Sequence, residues 1–206
     1  MNMNPITQHT TDTVVPLKLD LGCGKYPKLG FLGVDSGPTS GAQIKQDVME
    51  YLGSLDEGTV SEVHASHFLE HFEPKGLLNL LNEVNRVLVP GGMLDVTVPH
   101  FSNPEYYSDP THRQAFGIYT FAYFCESSIF ERDLPVYARI STWHLDKVTI
   151  GFIPRKRRRL LGISLNFLTV GLNNLINWRY GVMERYERYL CWIFPIYEIR
   201  YLVRKK

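Results

Sequence analysis

The sequence predicts an α/β fold: an open, mostly parallel sheet, doubly wound so that helices cover both faces. Three observations predict it. Short apolar runs end in Gly or Asp turns, and an amphipathic stretch of helical period lies between two of them. The chain has 206 residues, enough for one such domain and not comfortably for two. Hydrophobic residues make up 44% and charged residues 21%, ordinary globular proportions that exclude a disordered or fibrous chain.

The elements follow in chain order. Residues 1–16 read as a flexible arm, polar and without the apolar run of a secretory signal. Leu17–Leu21 is a short strand running into the turn Gly22-Cys23-Gly24. Phe31–Asp35 is a second strand, closed by Ser-Gly-Pro, and Ile44–Val48 a weaker third, followed by a turn of helix. Val60–Ala65 is a fourth. Over Lys75–Leu88 the period changes: Leu77, Leu81, Val84 and Leu88 form an apolar stripe, with Asn79, Asn82, Glu83 and Arg86 between them, as on a helix with one buried face. Pro90-Gly91-Gly92 stops that helix, and Met93–Val98 is a fifth strand. Residues 17–98 are therefore a ligand-binding core, and residues 99–130 a polar, aromatic loop and a helix-like segment. Residues 131–206 hold a long strand or hairpin (Val136–Ile153), a mostly helical stretch (Leu160–Phe194) and a last strand (Tyr197–Val203).

Charge divides the chain. Residues 1–150 carry 10 Lys and Arg against 18 Asp and Glu, while residues 151–206 carry 12 against 3. Cys23, Cys125 and Cys191 are few and odd in number, which argues against a disulfide framework and for a reducing, cytoplasmic setting. Leu160–Trp178 runs 19 residues without a charge, but its four asparagines make it too polar for a membrane span.

In an open parallel sheet, ligands sit beyond the carboxyl ends of the strands, where the strand order reverses. Asp20-Leu21-Gly22-Cys23-Gly24 lies at such an end, and its glycines let backbone N–H groups approach a ligand closely. Asp35 ends the next strand, where a carboxylate accepts both hydroxyls of a ribose. Asp47 and Val48, at the end of the weak third strand, stand where an acceptor oxygen and an apolar wall would suit an adenine amino group and ring. The ordered set of strand-DLGCG, strand-GVD, a later Asp-Val, strand-ASHFLEH and the helix EVNRVLVPGG resembles the class I S-adenosylmethionine-dependent methyltransferases. It is most similar to a small type 11-like group associated with bacterial surface-polysaccharide biosynthesis. The resemblance covers roughly residues 17–125 and implies a Rossmann-like sheet with S-adenosyl-L-methionine as cofactor.

By that resemblance Asp20, Gly22, Cys23 and Gly24 wrap the methionyl part, Asp35 holds the ribose, Asp47 and Val48 meet the adenine, and His67 lines the reactive side. One departure stands out: Lys25–Gly30 leaves room for about one helical turn where most members place a full helix. The loop after the fifth strand is where an acceptor enters. There His112 or His100 is the candidate base, being poised near neutral pH, with Asp109 orienting His112. Tyr106, Tyr107 and Arg113 are candidate acceptor-binding residues, against the alternative that they close the loop over the core.

His67-Phe-Leu-Glu70-His71 also matches an inverted zinc-protease pattern. That pattern needs its histidines on one helix face, and here it begins at a strand end, so the sequence assigns no metal; Glu70 and His71 read as a helix cap and first turn. Arg155–Arg159 precedes Leu161, Leu165, Leu168, Leu172 and Leu175, a leucine stripe at helical spacing. This segment reads as a covering helix packed on the sheet, with docking on an anionic membrane surface as the competing reading. Nucleic-acid chemistry is disfavoured, because Ser66-His-Phe-Leu69 stands where a DNA amino-methylating enzyme needs Asn/Asp-Pro-Pro-aromatic. The function expected is O-methylation of a sugar or lipid-linked glycan. A non-sugar small molecule as acceptor and a catalytically silent relative serving as a membrane or partner-binding module are the alternatives.

Overall fold

The computed structural model describes residues 16–127, 129, 130, 132, 134, 135, 140–152 and 165–206. The arm up to residue 15 and the basic run Arg155–Arg159 lie outside these residues. The seven strands are β1 (Leu17–Leu21), β2 (Leu32–Val34), β3 (Val60–Ser66), β4 (Leu88–Pro99), β5 (Cys125–Ser127), β6 (Ile140–Gly151) and β7 (Glu198–Lys205). They lie in the order β2-β1-β3-β4-β7-β6-β5. β2, β1, β3 and β4 are parallel, and β7 enters antiparallel between β4 and β6. The chain passes from β1 outward to β2 and then returns to the other side of β1 with β3, so the switch point lies at the end of β1.

The weak third strand reduces to a single bridge between Ile44 and Val34. The chain then turns into α1 (Val48–Ser54), where Asp47 caps the helix by accepting from the N–H groups of Met49 and Glu50. α2 (Pro74–Val87) buries Leu77, Leu80, Leu81, Val84 and Val87, as its period requires. Pro90-Gly91-Gly92 does not separate helix from strand: it lies inside β4 as an irregularity across which pairing jumps from Val60–Leu88 to Glu62–Met93. Gly91 takes φ +78° there. The helix-like segment before Phe130 is a single 3₁₀ turn, Thr120–Tyr123, followed by β5.

Alternation sorts the sheet residues. Leu19, Val63, Leu94 and Val203 stand in register across four strands, as do Leu21, Ala65, Val96 and Tyr201, and all are buried with the apolar residues of α1 and α2. The residues between them face the other way: Lys18, Asp20, Glu62, His64, Asp95, Arg200 and Arg204. No described helix buries a residue among these, so the expectation of helices over both faces holds on one face of the described residues. The physical reason lies between β1 and β2, where residues 22–31 form turns rather than a helix. That loop folds over the polar face instead, with Phe31 edge-on to His64 and Lys28 Nζ 4.2 Å above the Phe31 ring.

α3 (Leu165–Ile176) and α4 (Tyr180–Tyr189) close the far edge. Asn177 imitates a neighbouring strand there: its side chain accepts from Ile150 N–H and donates to the Ile150 carbonyl, both at 2.9 Å. Ile176 is buried, whereas Leu172 and Leu175 of the leucine stripe are 37% and 59% exposed. The expected packing of that stripe on the sheet therefore fails at both leucines. Among the described residues no helix is long and apolar enough to cross a membrane.

Candidate functional site

The site begins at the end of β1. Gly22 and Gly24 take φ +63° and +57°, the left-handed region that glycine enters without strain. Gly22 is required twice over, because a Cβ there would stand 2.1 Å from the Phe68 ring. Three carboxylates hold the surrounding loops, each through backbone amides. Asp20 accepts from Lys28 N–H at 2.7 Å, and burial lifts its carboxyl above the usual range although His64 and Lys28 oppose this. Asp35 accepts from Gly24 N–H at 2.8 Å through Oδ2 and from Gly37 N–H at 2.6 Å through Oδ1. Asp47 caps α1 through Oδ1. Cys23 points toward Gly33, where an added Cβ would lie 2.8 Å from its sulfur, and burial pushes its thiol up, making it a poor nucleophile.

Gly22, Asp35, Asp47 and Val48 line one cavity of about 110 Å³ together with Phe68 and Phe72. A second, of about 270 Å³, opens on the other side of Gly22 between Asp20, Cys23, Lys28 and His64. The two cavities thus hold six of the eight cofactor-side residues read from sequence, Asp20, Gly22, Cys23, Asp35, Asp47 and Val48, and Gly24 joins them through its hydrogen bond to Asp35. His67 stands beside them at the end of β3 with φ +53°, a backbone conformation that side chains other than glycine rarely adopt. Its Nδ1 lies 3.4 Å from Glu70 Oε1, which raises the imidazole pKa, while the alignment falls short of a hydrogen bond to that carboxylate.

The acceptor loop is rearranged relative to expectation. His100 is fully buried: its Nδ1 accepts from Ser102 N–H at 3.0 Å and its Nε2–H donates to Glu187 at 2.9 Å. With both nitrogens engaged in the core, His100 is a structural residue, and the candidacy as base falls to His112. His112 is oriented by the Tyr106 carbonyl, 2.8 Å from Nδ1, and by the Tyr106 ring stacked 5.0 Å away. Asp109 is not what orients it. That carboxylate lies 3.7 Å from His112 Nε2 and instead accepts from the Thr111 hydroxyl and N–H, which together hold its pKa low. Tyr106 is buried, so it cannot offer a sugar-stacking face. Tyr107 is exposed, its hydroxyl donating to the Phe101 carbonyl, and Arg113 is exposed beside Glu73.

Sequence reasoning passed over Phe68, Phe72 and Glu70. The two phenylalanines carry no motif of their own and acquire a role only by lying across from Gly22. Glu70 does not cap α2, which starts four residues later; it sits fully buried within a separate 3₁₀ turn, Leu69–His71. Its carbonyl accepts from Arg113 N–H and Gln114 N–H at 2.7 and 3.0 Å, clasping the acceptor loop to the end of β3.

A methyltransferase dependent on S-adenosylmethionine from Archaeoglobus fulgidus superposes with a TM-score of 0.56, at 21% identity over 92% of this chain and 86% of that one. Phosphoethanolamine N-methyltransferase 2 of Haemonchus contortus, in complex with S-adenosyl-L-methionine, gives 0.53 at 16% identity over 93% of this chain, which spans 48% of that protein. No protein-family profile matches the chain. No curated protein matches its sequence. The fold is the Rossmann-like fold of the class I S-adenosylmethionine-dependent methyltransferases.

Proposed function

We propose that the protein is an S-adenosylmethionine-dependent methyltransferase that O-methylates a sugar or lipid-linked glycan. The observation that carries the reading is the arrangement of Gly22, Asp35, Asp47 and Val48 around one cavity at the switch point of the sheet. Those residues fit the cofactor by their chemistry. Asp35 keeps acceptor capacity on both oxygens beyond its two backbone amides, as a ribose diol needs. Val48 and Phe72 supply apolar walls for a purine, and Asp47 Oδ2 remains an acceptor for its amino group. When bound, the cofactor would supply an activated methyl on a sulfonium: an acceptor oxygen would attack that carbon in line, forming a C–O bond as the C–S bond pair returns to sulfur, the thioether leaves and a proton is lost from the hydroxyl. The chain's part is positioning and removal of that proton, for which His112 is the base on the acceptor loop.

The glycan reading rests on the polar acceptor loop and on the C-terminal region. Trp178, Tyr189, Trp192, Ile193 and Phe194 are each more than 60% exposed there, following the basic run Arg155–Arg159. Exposed Trp and Tyr in a region whose sequence is rich in arginine suit the headgroup layer of an anionic membrane, where a lipid-linked acceptor resides.

Calorimetric titration with S-adenosylhomocysteine tests the cofactor site. Micromolar binding by the wild type that Asp35→Ala weakens supports it, and no binding by folded wild type overturns it in favour of a silent relative. Transfer of labelled methyl to lipid-linked glycans or nucleotide sugars, against non-sugar hydroxyl compounds, then tests the acceptor. Flotation with anionic vesicles, reversed by salt, tests the membrane surface.

A further inference from the structure

We infer that Glu70, His71 and His112 form a binding site for a divalent transition-metal ion of the zinc class. One ligand atom from each residue lies within 4.8 Å of the others. Around an ion with bonds of about 2.1 Å, such atoms stand about 3.5 Å apart, so small side-chain rotations close the set. Proximity alone would be weak. Two independent features of the structure turn it into a built site.

The first is Glu70. Its carboxylate is fully buried, and among the described residues neither oxygen has a hydrogen-bond partner. Buried carboxylates are ordinarily paired or bound to metal, because an unsatisfied one is costly. His67, 3.4 Å from Oε1, is the only ion-pair partner the described residues give it, and that contact lacks hydrogen-bond alignment.

The second is that each histidine has one ring nitrogen held by a hydrogen bond, which fixes its tautomer and leaves the other nitrogen with a lone pair. The Tyr106 carbonyl can only accept, so His112 Nδ1 carries the proton and Nε2 the lone pair. The Thr111 hydroxyl gives its hydrogen to Asp109 Oδ1 at 2.6 Å. It must therefore accept from His71 Nδ1, 2.9 Å away, which leaves the lone pair of His71 on Nε2 as well. A backbone carbonyl behind one imidazole and a hydroxyl–carboxylate relay behind the other are the outer partners that fix metal-bound histidines. Asp109 Oδ2, 3.7 Å from His112 Nε2, adds a second carboxylate on the solvent side.

Two imidazoles and a carboxylate select zinc-like ions over magnesium or calcium, which prefer all-oxygen shells. Three protein ligands leave a coordination position open, and His71 is exposed to solvent. The turn carrying Glu70 and His71 lies between Phe68 and Phe72, both of which line the cofactor-side cavity. If the methyl-transfer reading above holds, a bound ion occupies the lone pair of His112 and takes over from it the easing of proton loss from the acceptor hydroxyl. Ion binding itself does not depend on that reading.

The test uses the full chain, stripped with a chelator and titrated calorimetrically with Zn²⁺, with Mg²⁺ in parallel. Expected is one Zn²⁺ per chain, bound at least a hundredfold more tightly than Mg²⁺. Affinity should fall at least tenfold in each of Glu70→Gln, His71→Asn and His112→Gln and stay unchanged in His144→Asn. Co²⁺ in place of Zn²⁺ should give a visible ligand-field spectrum that Glu70→Gln alters. Folding of each variant is checked by its melting curve, and the isosteric Glu70→Gln guards against a fold defect. No stoichiometric Zn²⁺ binding by the folded wild type, or equal affinity in all three variants, overturns the site. S-adenosylhomocysteine binding by the stripped protein is read separately, so loss of the cofactor site and loss of the metal site are distinguished.

Discussion

The carboxylates at the ends of β1 and β2 and the carboxylate that follows β3 are held in opposite ways. Asp20, Asp35 and Asp47 each receive backbone N–H groups from loops close in sequence, so the glycine turn is rigid before any ligand arrives. Glu70 is more deeply buried than any of them and receives no hydrogen bond. Asp95 is a third case: it too is buried, but Arg200 donates to both of its oxygens at 2.6 and 2.7 Å, with Lys28 and His64 nearby. The contrast teaches that this chain satisfies its buried carboxylates wherever they serve the fold alone. Glu70, with the His67 imidazole 3.4 Å away and no hydrogen bond, is the carboxylate that the proposed cation would complete.

The largest effect that would break this comparison is expected at Asp95. Asp95→Asn should lower stability by about 3 kcal/mol at pH 7, since it leaves Arg200 without its partner, the half-exposed guanidinium recovering some solvation. Burial opposes ionisation of Asp95, yet the hydrogen bonds from His64 and Arg200 hold its carboxyl well below the usual range. Its contribution is therefore fully present above the unfolded-state pKa of about 3.9 and is lost as pH falls toward the folded value. Urea unfolding at pH 7 and pH 3 should show the gap between wild type and variant narrowing in acid.

Next comes Asp35→Ala, which removes a charged acceptor and should weaken S-adenosylhomocysteine binding by tenfold or more, about 1.5–3 kcal/mol. Unchanged affinity in a folded variant would sink the ribose assignment.

The two glycines sharpen the same point at smaller magnitude. Gly24→Ala meets nothing within 4 Å and should cost only the left-handed backbone penalty, about 1 kcal/mol. Gly22→Ala adds a clash with Phe68 and should cost about 2–3 kcal/mol. Adding Phe68→Leu should recover part of the Gly22→Ala loss and none of the Gly24→Ala loss in paired melting experiments. Smallest is Asp47→Ala, which removes the cap of α1 at about 1 kcal/mol or less, read from the same denaturation curves.

What the sequence determined by itself is the part governed by short range. The strands expected at Leu17–Leu21 and Val60–Ala65, the helix expected over Lys75–Leu88 and the tight turn at Gly22 and Gly24 follow from side-chain alternation, helical period and turn chemistry. Each of these is set by neighbours a few residues away. Gly24 and Asp35 are bonded to each other across an 11-residue separation, close enough for the strand–turn–strand pattern to imply it. Pro90-Gly91-Gly92 misled because a glycine-proline stop and a strand irregularity have the same composition, and only the pairing of β3 with β4 tells them apart.

Tertiary structure alone decided the rest. His100 and His112 look alike in sequence, yet one is enclosed beside Glu187, 87 residues away, while the other faces the loop. Glu70 meets His112 only because the amides of Arg113 and Gln114 dock on the Glu70 carbonyl. The entry of β7 between β4 and β6 likewise depends on pairing between residues distant in sequence, as Arg200 with Asp95, 105 positions away, illustrates. Burial and long-range pairing emerge when the whole core closes, and no local pattern carries them.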